Sequence, residues 1–419
     1  MSAIAVHDVV ARTAFVVRGM RRRGFWFVVA CALLALTGCG KPVQPLPNDA
    51  YVWQRVWTDG VVAAMRESSG LVGTWHVLAA ELDARAHWND VTPDWNALVS
   101  AHTQVVAVVR IDGTLDRLDD AASITHIAVV LDAWKRRGVN VAGVEIDHDC
   151  ATARLAGYQR FLATLRTRLD PSIKLSITAL PTWLDSPAAL DGVLAQTDEA
   201  VLQVHAVMNP VQGLFDDTRA LAWMHAFAGH SRHPWRVALP TYGTRVTWSR
   251  DGRVTGIESE RPTLASGDLA HELVAQPGEI SAFAARIAKE RPDGLAGIVW
   301  FRLPTDDDTR AWSLATWRAV LAHAPLQPEL TVRANEAAGS AARDLVLVNA
   351  GNADAPLPAR IRVDAGCAAA DGINGYVIDR DSRSLFLRRA QDGLLRAGRQ
   401  RTVGWIRCNQ GTPALHVEP

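Results

Sequence analysis

The sequence predicts an α/β protein: a (β/α)8 TIM-type barrel followed by a small all-β, sandwich-like domain. Three observations support this prediction. Short β-rich runs alternate with helical stretches between residue 51 and about residue 323. The β-rich runs number eight over roughly 270 residues, as expected of such a barrel. From Pro325 onward, short strand-like runs are separated by turns without helical stretches, which suggests a β-sandwich of about 95 residues.

The expected barrel strands are short runs rich in apolar and β-branched residues. They cover residues 51–57, 72–80, 105–112, 141–149, 174–181, 200–207, 235–243 and 294–303. The expected helices cover residues 121–137, 154–169, 187–196, 218–229, 280–290 and 309–323. A doubly wound open sheet is the rival architecture. No Gly-x-Gly-x-x-Gly follows the first strand, so the barrel is favoured.

A long gap after the seventh strand, residues 244–279, predicts a β insertion on the loop face of the barrel. Within it, β-rich residues flank Asp251-Gly252, a pair typical of a hairpin turn. Beyond the barrel, the expected strands of the second domain cover residues 345–352, 359–363, 375–378, 384–387 and 402–408. The domain limits are therefore expected at residues 51–324 for the barrel and 325–419 for the β-sandwich.

The first 39 residues are typical of an export signal. Arginines at positions 18 and 21–23 precede an apolar run over residues 25–36, which is shorter than the roughly 20 residues of a membrane span. The run ends in Leu-Thr-Gly-Cys-Gly, which resembles the bacterial lipobox, with Cys39 as the lipidated residue. We expect a signal peptide at 1–39, an extended tether at 40–50, and a lipid-anchored protein of the bacterial cell envelope that faces the periplasm or the exterior. A buried amino-terminal helix is the alternative.

The composition limits the classes of binding partner that this protein can have. The chain has 44 basic and 44 acidic residues, and this balance argues against a nucleic-acid partner, which would require a basic excess. Tryptophan, with 15 residues, outnumbers phenylalanine and tyrosine together (9 and 4), and its flat ring suits stacking on apolar faces.

Outside the export signal, the cysteines are Cys150, Cys367 and Cys408. The last two lie in one segment, and we predict that they pair in an oxidising compartment. No zinc-ligand spacing or phosphate-binding glycine loop occurs, so no metal or cofactor is expected.

The fourth expected strand carries three carboxylates, Glu145, Asp147 and Asp149. Side chains alternate along a strand, so all three share one face, and that face is the barrel interior because helices cover the other. The row ends at the carboxyl edge, where barrel active sites lie. Crowded buried acids have at least one raised pKa, which prepares a carboxylic acid to donate a proton near neutral pH. The alternative is that barrel arginines neutralise the row; the candidates are Arg55, Arg110 and Arg302.

Residues 142–149, Ala-Gly-Val-Glu-Ile-Asp-His-Asp, resemble the strand-four motif of family 18 chitinase-like glycoside hydrolases, Asp-Gly-x-Asp-x-Asp-x-Glu. Two further segments agree in order. Residues 239–243 resemble the Pro-x-Tyr-Gly strand of that family and contain Tyr242. Residues 297–302 resemble its last strand, in which the tryptophan, here Trp300, floors the sugar pocket. The resemblance covers roughly residues 51–323. More narrowly, the chain resembles an uncharacterised bacterial family, domain of unknown function 3142.

This resemblance implies roles for individual residues. Asp149 would protonate the glycosidic oxygen, Asp147 would hold a proton or orient a substrate group, and Glu145 would tune both. The chain departs from the family at two points. Asp149 stands where the family has glutamate, and a segment with Gln203 and His205 replaces the Tyr-Asp pair of strand six. These two side chains share a face, which suits binding of a sugar hydroxyl or amide.

Aromatic and basic side chains near the strand ends complete the expected site. Trp53, Arg55 and Trp57 alternate on the expected first strand, and we expect them at the interior or mouth, as sugar platforms or simply as core. Arg302 is a candidate clamp for a hydroxyl or carboxylate; a salt bridge to one of the acids at 306–308 is the alternative. The expected substrate-binding residues are Gln203, His205, Tyr242, Trp300, Arg302, Trp53 and Arg55.

The sequence thus predicts an envelope-anchored lipoprotein whose barrel acts on, or binds, a polysaccharide through its strand-four carboxylates. Three roles remain open at this point. The barrel is a glycoside hydrolase, or it has lost catalysis and binds a glycan, or the protein assists envelope assembly with its β-sandwich as the contact surface.

Overall fold

The computed structural model describes residues 45–115, 118, 120–205, 213–249, 254–258, 269–336, 341–364, 367–380, 385–408 and 413–418. The expected export signal, Cys39 and the first part of the tether lie outside the described residues. No helix in the described part of the chain has the length and apolar character needed to span a membrane.

Eight parallel strands form a closed barrel, which confirms the predicted fold. They are β1 Asn48–Val52, β2 Thr74–Leu82, β3 Gln104–Ile111, β4 Val141–His148, β5 Lys174–Ala179, β6 Glu199–Gln203, β7 Trp235–Pro240 and β8 Leu295–Phe301. Strands that follow one another along the chain pair side by side, and β1 pairs in parallel with both β2 and β8, which closes the ring. The short strand Trp88–Asp90 adds to β2 in antiparallel direction.

Strand β1 begins three residues before its predicted start. Residues 48–50 therefore belong to the barrel rather than to the expected tether, and Leu46 is already buried. The strand ends at Val52, so Trp53, Arg55 and Trp57 lie beyond it and do not alternate as predicted.

One α-helix follows each barrel strand along the described chain. They are α1 Asp59–Glu67, α2 Trp95–Ser100, α3 Asp120–Arg136, α4 Leu155–Arg166, α5 Pro187–Leu194, α6 Asp217–Ala228, α7 Pro277–Glu290 and α8 Leu314–Leu321. The two that were not predicted, α1 and α2, are short. Helix α1 buries Val61, Ala64 and Met65 at helical spacing, and Asp94 caps α2 by accepting a hydrogen bond of 2.8 Å from the Ala97 N–H.

The alternation of side chains along each strand produces two apolar layers. Outward-facing side chains such as Val144 and Ile146 pack with the helices in the main core. A smaller cluster fills the barrel interior; it contains Tyr51, Trp53, Leu78, Val91, Val108, Val201, Ala238 and Val299. Glu145 and Asp147 alternate with the outward-facing residues of β4, so they lie on the interior side, as predicted.

The insertion after β7 is a three-stranded antiparallel sheet. Its central strand, Gly243–Trp248, pairs with Val254–Glu258 and with Leu269–Val274. The first pair is the predicted hairpin, although its Asp251-Gly252 turn lies outside the described residues. The third strand, Leu269–Val274, was not predicted.

The carboxyl-terminal domain is all-β, as predicted. One four-stranded sheet contains Leu330–Glu336, Arg343–Asn349, Cys367–Gly372 and Gln400–Cys408; the other contains Arg360–Val363, Tyr376–Arg380, Leu385–Arg389 and Leu415–Glu418. Apolar side chains from both sheets, including Leu347 and Leu387, form one separate core. Cys367 and Cys408, the predicted pair, form a disulfide between neighbouring strands.

Candidate active site

Glu145 lies fully buried at the centre of the barrel and is held by three hydrogen bonds. The hydroxyl of Tyr51 donates to its Oε1 at 2.5 Å, and that of Thr178 donates to the same oxygen at 3.1 Å. Nδ1 of His76 lies 2.9 Å from its Oε2. These donors come from β1, β5 and β2, so the closed ring of strands satisfies a carboxylate that would otherwise be costly to bury.

His76 is a buried cation between two carboxylates. Burial alone lowers the pKa of His76, but Glu145 and Asp49 outweigh it and raise the pKa to about 9. Its Nε2 lies 3.8 Å from Oδ2 of Asp49, which in turn lies 3.1 Å from Nη1 of Arg236. Arg236 also pairs with Glu199. A continuous row of alternating charges therefore links Glu199 to Glu145 through the barrel.

Asp147 is the next acid toward the carboxyl end of β4, and it is also buried. Burial and the charge of Asp149 raise the pKa of Asp147, and Glu145 raises it further. Arg110 and a hydrogen bond with Thr178 act in the opposite direction, and the resulting pKa is about 8. Asp147 therefore carries a proton at neutral pH.

Asp149 follows β4 at the open end of the barrel, where 41% of its side chain is exposed. Nη2 of Arg110 lies 3.6 Å from its Oδ2, and the same guanidinium lies 5.9 Å from the centre of the Trp53 ring. The backbone here is tightly packed against the neighbouring loop. A Cβ on Gly113 would lie only 1.9 Å from the carbonyl oxygen of Asp149, so this close approach requires glycine.

Phe301 is the central aromatic ring of the interior. Its centroid lies 5.0 Å from that of Trp53, 5.4 Å from those of Tyr51 and His205, and 5.6 Å from that of Tyr242. The peptide bond between Phe301 and the next residue is cis. This group of rings lies on the same side of the barrel wall as the strand-four acids.

The expectation that Trp300 floors a sugar pocket is wrong. Val299 and Phe301 face the interior, so Trp300, the residue between them, faces outward into the core between strands and helices. Its Nε1 donates a hydrogen bond of 2.9 Å to Oδ1 of Asn48. Phe301 occupies the inward position that Trp300 was expected to fill.

Gln203 and His205 lie together, as expected, at the end of β6. Nε2 of Gln203 donates to the carbonyl oxygen of His205 at 2.9 Å. Burial lowers the pKa of His205 to about 3, so its imidazole is neutral. Nδ1 lies 3.5 Å from the hydroxyl of Tyr242, and Nε2 has no hydrogen-bond partner in the described part of the chain. This nitrogen is buried inside the protein.

Two expected arginines pair with acids other than the strand-four row. Arg55 is exposed and forms a two-pronged ion pair with Glu81, at 2.6 and 2.7 Å. Arg302 is buried and pairs with Asp308 at 2.6 and 2.8 Å, which is the salt bridge considered as its alternative role. Of the three arginines that were candidates to neutralise the strand-four acids, Arg110 pairs with one of them, Asp149.

Sequence reasoning did not identify the residues that hold Glu145. His76 and Thr178 are polar residues at inward positions of apolar strands, which is the one signal that could have identified them. The sequence pattern places Asp49 in the tether, whereas the structure places it in β1. The described residues contain no group of three or more His, Cys, Asp or Glu side chains arranged to hold a metal ion. Of the cavities formed by described residues, one of about 240 Å³ lies beside Gln54 and Arg302, and the strand-four acids do not line it.

The fold and the site together define a TIM-type barrel with a row of carboxylates that ends at its carboxyl-terminal mouth. Residues 102–306 match the model of a family described as Domain of unknown function (DUF3142). This match lies within the barrel and confirms the predicted resemblance to that family. Residues 332–409, in the second domain, match a separate Domain of unknown function (DUF8456). No curated protein matches the chain.

Solved structures with a related chain path include several chitinases. The spore cortex-lytic enzyme SleL of Bacillus cereus is 13% identical, with 68% of this chain and 76% of that chain covered and a TM-score of 0.48. A chitinase of Chromobacterium violaceum is 13% identical, with 66% and 98% covered and a TM-score of 0.49. A family GH18 chitinase of Cycas revoluta in complex with allosamidin is 12% identical, with 66% and 99% covered and a TM-score of 0.45.

Proposed function

We propose that this protein is a lipid-anchored glycoside hydrolase of the bacterial cell envelope that cleaves an O-glycosidic bond of a polysaccharide. The observation that carries the proposal is the pair of acids at the barrel mouth. Asp147 is buried and protonated, with a pKa of about 8, and its neighbour Asp149 is partly exposed. A carboxylic acid that keeps its proton at neutral pH beside a solvent-accessible carboxyl group suits general acid catalysis.

In the proposed reaction, Asp149 protonates the glycosidic oxygen because it is the acid of the row that reaches solvent. Asp147 supplies that proton, and the fixed negative charge of Glu145 favours the protonated form of Asp147. The bond between the anomeric carbon and the leaving oxygen breaks, and a water oxygen bonds to that carbon. The proton released by the water returns to the acid pair. The carboxylates also stabilise the positive charge that develops on the sugar ring.

The interior aromatic groups supply the binding surface for the sugar. Trp53 and Tyr242 pack edge-to-face with Phe301 in the barrel interior, and the apolar faces of such rings suit stacking on a pyranose. His205 is neutral, and its Nε2 has no hydrogen-bond partner among the described residues, so we assign this nitrogen to a sugar hydroxyl or amide.

The envelope location is supported by the sequence. The basic patch, the apolar run and the lipobox-like end at Cys39 occur in the order of a lipoprotein signal. The disulfide between Cys367 and Cys408 is compatible with an oxidising compartment outside the cytoplasm. The proposed substrate is therefore a polysaccharide of that compartment.

The test is a turnover assay of the purified full-length protein on envelope polysaccharides and chitooligosaccharides, with products identified by mass spectrometry. Asp149→Asn should lower turnover about 100-fold or more, because general acid catalysis typically contributes that much. Asp132→Asn, which changes an exposed acid on α3, should leave turnover unchanged. Absence of turnover by the wild type on the whole panel would contradict the hydrolase proposal.

A second candidate is a barrel that binds a glycan without cleaving it. The ion pair between Arg110 and Asp149 favours it, because a carboxylate engaged by a guanidinium is less available to a leaving oxygen. In that case the wild type binds oligosaccharide without turnover, and Asp149→Asn retains the binding.

A further inference from the structure

A second polar cavity lies between the barrel and the carboxyl-terminal domain, and the strand-four acids do not line it. Its volume is about 200 Å³. Residues from the β insertion, the loop after β8 and the carboxyl-terminal domain contribute to its wall. The charged side chains among them are Glu272, Arg310, Asp392, Arg396 and Arg401.

Hydrogen bonds between the two domains hold the walls of this cavity in place. Arg396 donates to the carbonyl oxygen of Ala311 from Nε at 3.1 Å and from Nη2 at 2.9 Å. The carboxylate of Asp354 accepts hydrogen bonds from the backbone N–H of Ser313 at 2.6 Å and of Ala397 at 2.8 Å. The cavity is therefore preformed, and a ligand would not have to order its walls.

The charges that line the cavity are not balanced. Three guanidinium groups face two carboxylates, and both carboxylates already have partners. Glu272 pairs with Arg310 at 3.2 Å, and Asp392 pairs at 3.2 Å with Arg389, which is not part of the lining. Arg396 interacts with Asp354, Asp308 and Asp306 outside the lining, so the positive charge without an acidic partner among the described residues is that of Arg401.

Arg401 is the side chain on which this charge is most available. It is half-buried, and it forms no ion pair or hydrogen bond with any other residue that the structure describes. Gly393 lies next to Arg401 in the cavity wall: a Cβ on this glycine would lie 3.9 Å from Nη1 of Arg401. A half-buried guanidinium without an anionic partner favours an anionic ligand, because its planar fork of donors matches carboxylate and sulfate oxygens.

We propose that this cavity binds the oxyanion group of an acidic saccharide, with Arg401 as its main contact. The group is a uronic-acid carboxylate or a sugar sulfate, since both offer two negatively charged oxygens that a guanidinium can engage at once. The insertion that contributes Gly243 and Glu272 directly follows β7 at the carboxyl-terminal end of the barrel, the same end as Asp149. The saccharide part rests on the proposed function, whereas oxyanion binding by Arg401 does not.

The test is calorimetric titration of the purified full-length protein with trigalacturonate, a neutral galactose trisaccharide and a sulfated one. The wild type should bind the charged trisaccharides and bind the neutral one at least about tenfold more weakly, as expected for loss of a charge-assisted contact. Arg401→Gln should lose about tenfold or more in affinity for the charged probes. Arg407→Gln, which changes an exposed arginine on the same strand, should bind like the wild type.

Three outcomes are decisive. Equal binding by Arg401→Gln and the wild type would overturn the proposal, and so would equal binding of the neutral and charged probes. Preference for the sulfated over the uronic probe, lost in Arg401→Gln, would support it with sulfate as the oxyanion. Unchanged thermal unfolding of Arg401→Gln shows that a loss of binding is not a loss of fold.

The experiment also separates this site from the barrel mouth. Asp149→Asn should retain Arg401-dependent binding of trigalacturonate even where turnover is lost. Arg401-dependent binding by a wild type that cleaves no glycan would contradict the hydrolase proposal and leave the oxyanion site intact.

Discussion

Nδ1 of His76 lies 2.9 Å from Oε2 of Glu145, and both side chains are buried inside the barrel. This contact is the centre of the site, because Glu145 in turn affects the proton on Asp147. A buried carboxylate needs both a compensating charge and hydrogen-bond donors. His76 supplies the charge, and Tyr51 and Thr178 supply the remaining donors.

Removal of the charge on His76 should destabilise the fold. We expect His76→Gln to lower the free energy of unfolding by about 3–5 kcal/mol, because Glu145 would remain as an uncompensated buried charge. Urea denaturation at pH 7 measures the change. The double variant His76→Gln/Glu145→Gln should be more stable than His76→Gln alone. Equal stability of the single and double variants would show that the two charges are not coupled.

The same pair predicts how stability varies with pH. The folded-state pKa of His76, about 9, lies above its ordinary value of 6.5. Its contribution to stability is therefore fully present below pH 6.5 and is lost as the pH rises through about 9. Deprotonation of His76 should lower the free energy of unfolding by up to about 1.4 kcal/mol per pH unit in that window. His76→Gln should decline less steeply than the wild type, and the part that remains up to about pH 8 comes from the raised pKa of Asp147. A wild type whose stability does not fall between pH 6.5 and 9 would contradict a charged His76.

The proton on Asp147 predicts an alkaline limit to activity. The pKa of Asp147 is about 8, so turnover should decline above about pH 8 as this proton is lost. This alkaline limb is measured as a pH profile of kcat with a glycan that the protein cleaves. Asp147→Asn should lower kcat throughout and remove the limb, since asparagine has no proton to lose. A wild-type limb that persists in Asp147→Asn would assign the titration to another group.

Tyr51 and Tyr158 contact opposite faces of β4 and allow a matched comparison. Tyr51 donates to the Glu145 carboxylate at 2.5 Å, whereas Tyr158 donates to the backbone carbonyl of Ile146 at 3.1 Å. Tyr51→Phe should lower the free energy of unfolding by about 1–3 kcal/mol, because a buried charged acceptor loses a hydrogen-bond donor. It should also shift the alkaline limb of the kcat profile. Tyr158→Phe should leave the limb in place, and an equal shift in both variants would contradict a specific role for Tyr51.

The lipid anchor has a test of its own. Cys39→Ser should move the protein from the membrane fraction to the soluble fraction of cells, because the thiol that we propose to carry the lipid is absent. Immunoblots of the two fractions measure the distribution. Cys31→Ser, within the apolar run of the signal, is the control and should leave the protein with the membrane. Retention of Cys39→Ser in the membrane fraction would show that Cys39 is not the anchor.

The order of the barrel strands could be predicted from the sequence because each strand is a short apolar run between helical stretches. The limits of β1 could not be predicted, since only its pairing with β2 and β8 shows that Asn48 belongs to the barrel. The prediction that Trp300 faces the barrel interior is also wrong. Either of two adjacent aromatic residues can face inward, and the strand register decides that Phe301 does so.

The sequence by itself determined the barrel, the β-sandwich and the row of acids on β4, because local patterns of apolar and polar residues carry that information. Only the tertiary structure decided how the row is held. The donors to Glu145 lie 94, 69 and 33 residues away along the chain, at Tyr51, His76 and Thr178. Closure of the barrel brings these side chains to one buried carboxylate. The physical reason is that pKa values and charge balance depend on neighbours in space, which a local sequence pattern does not specify.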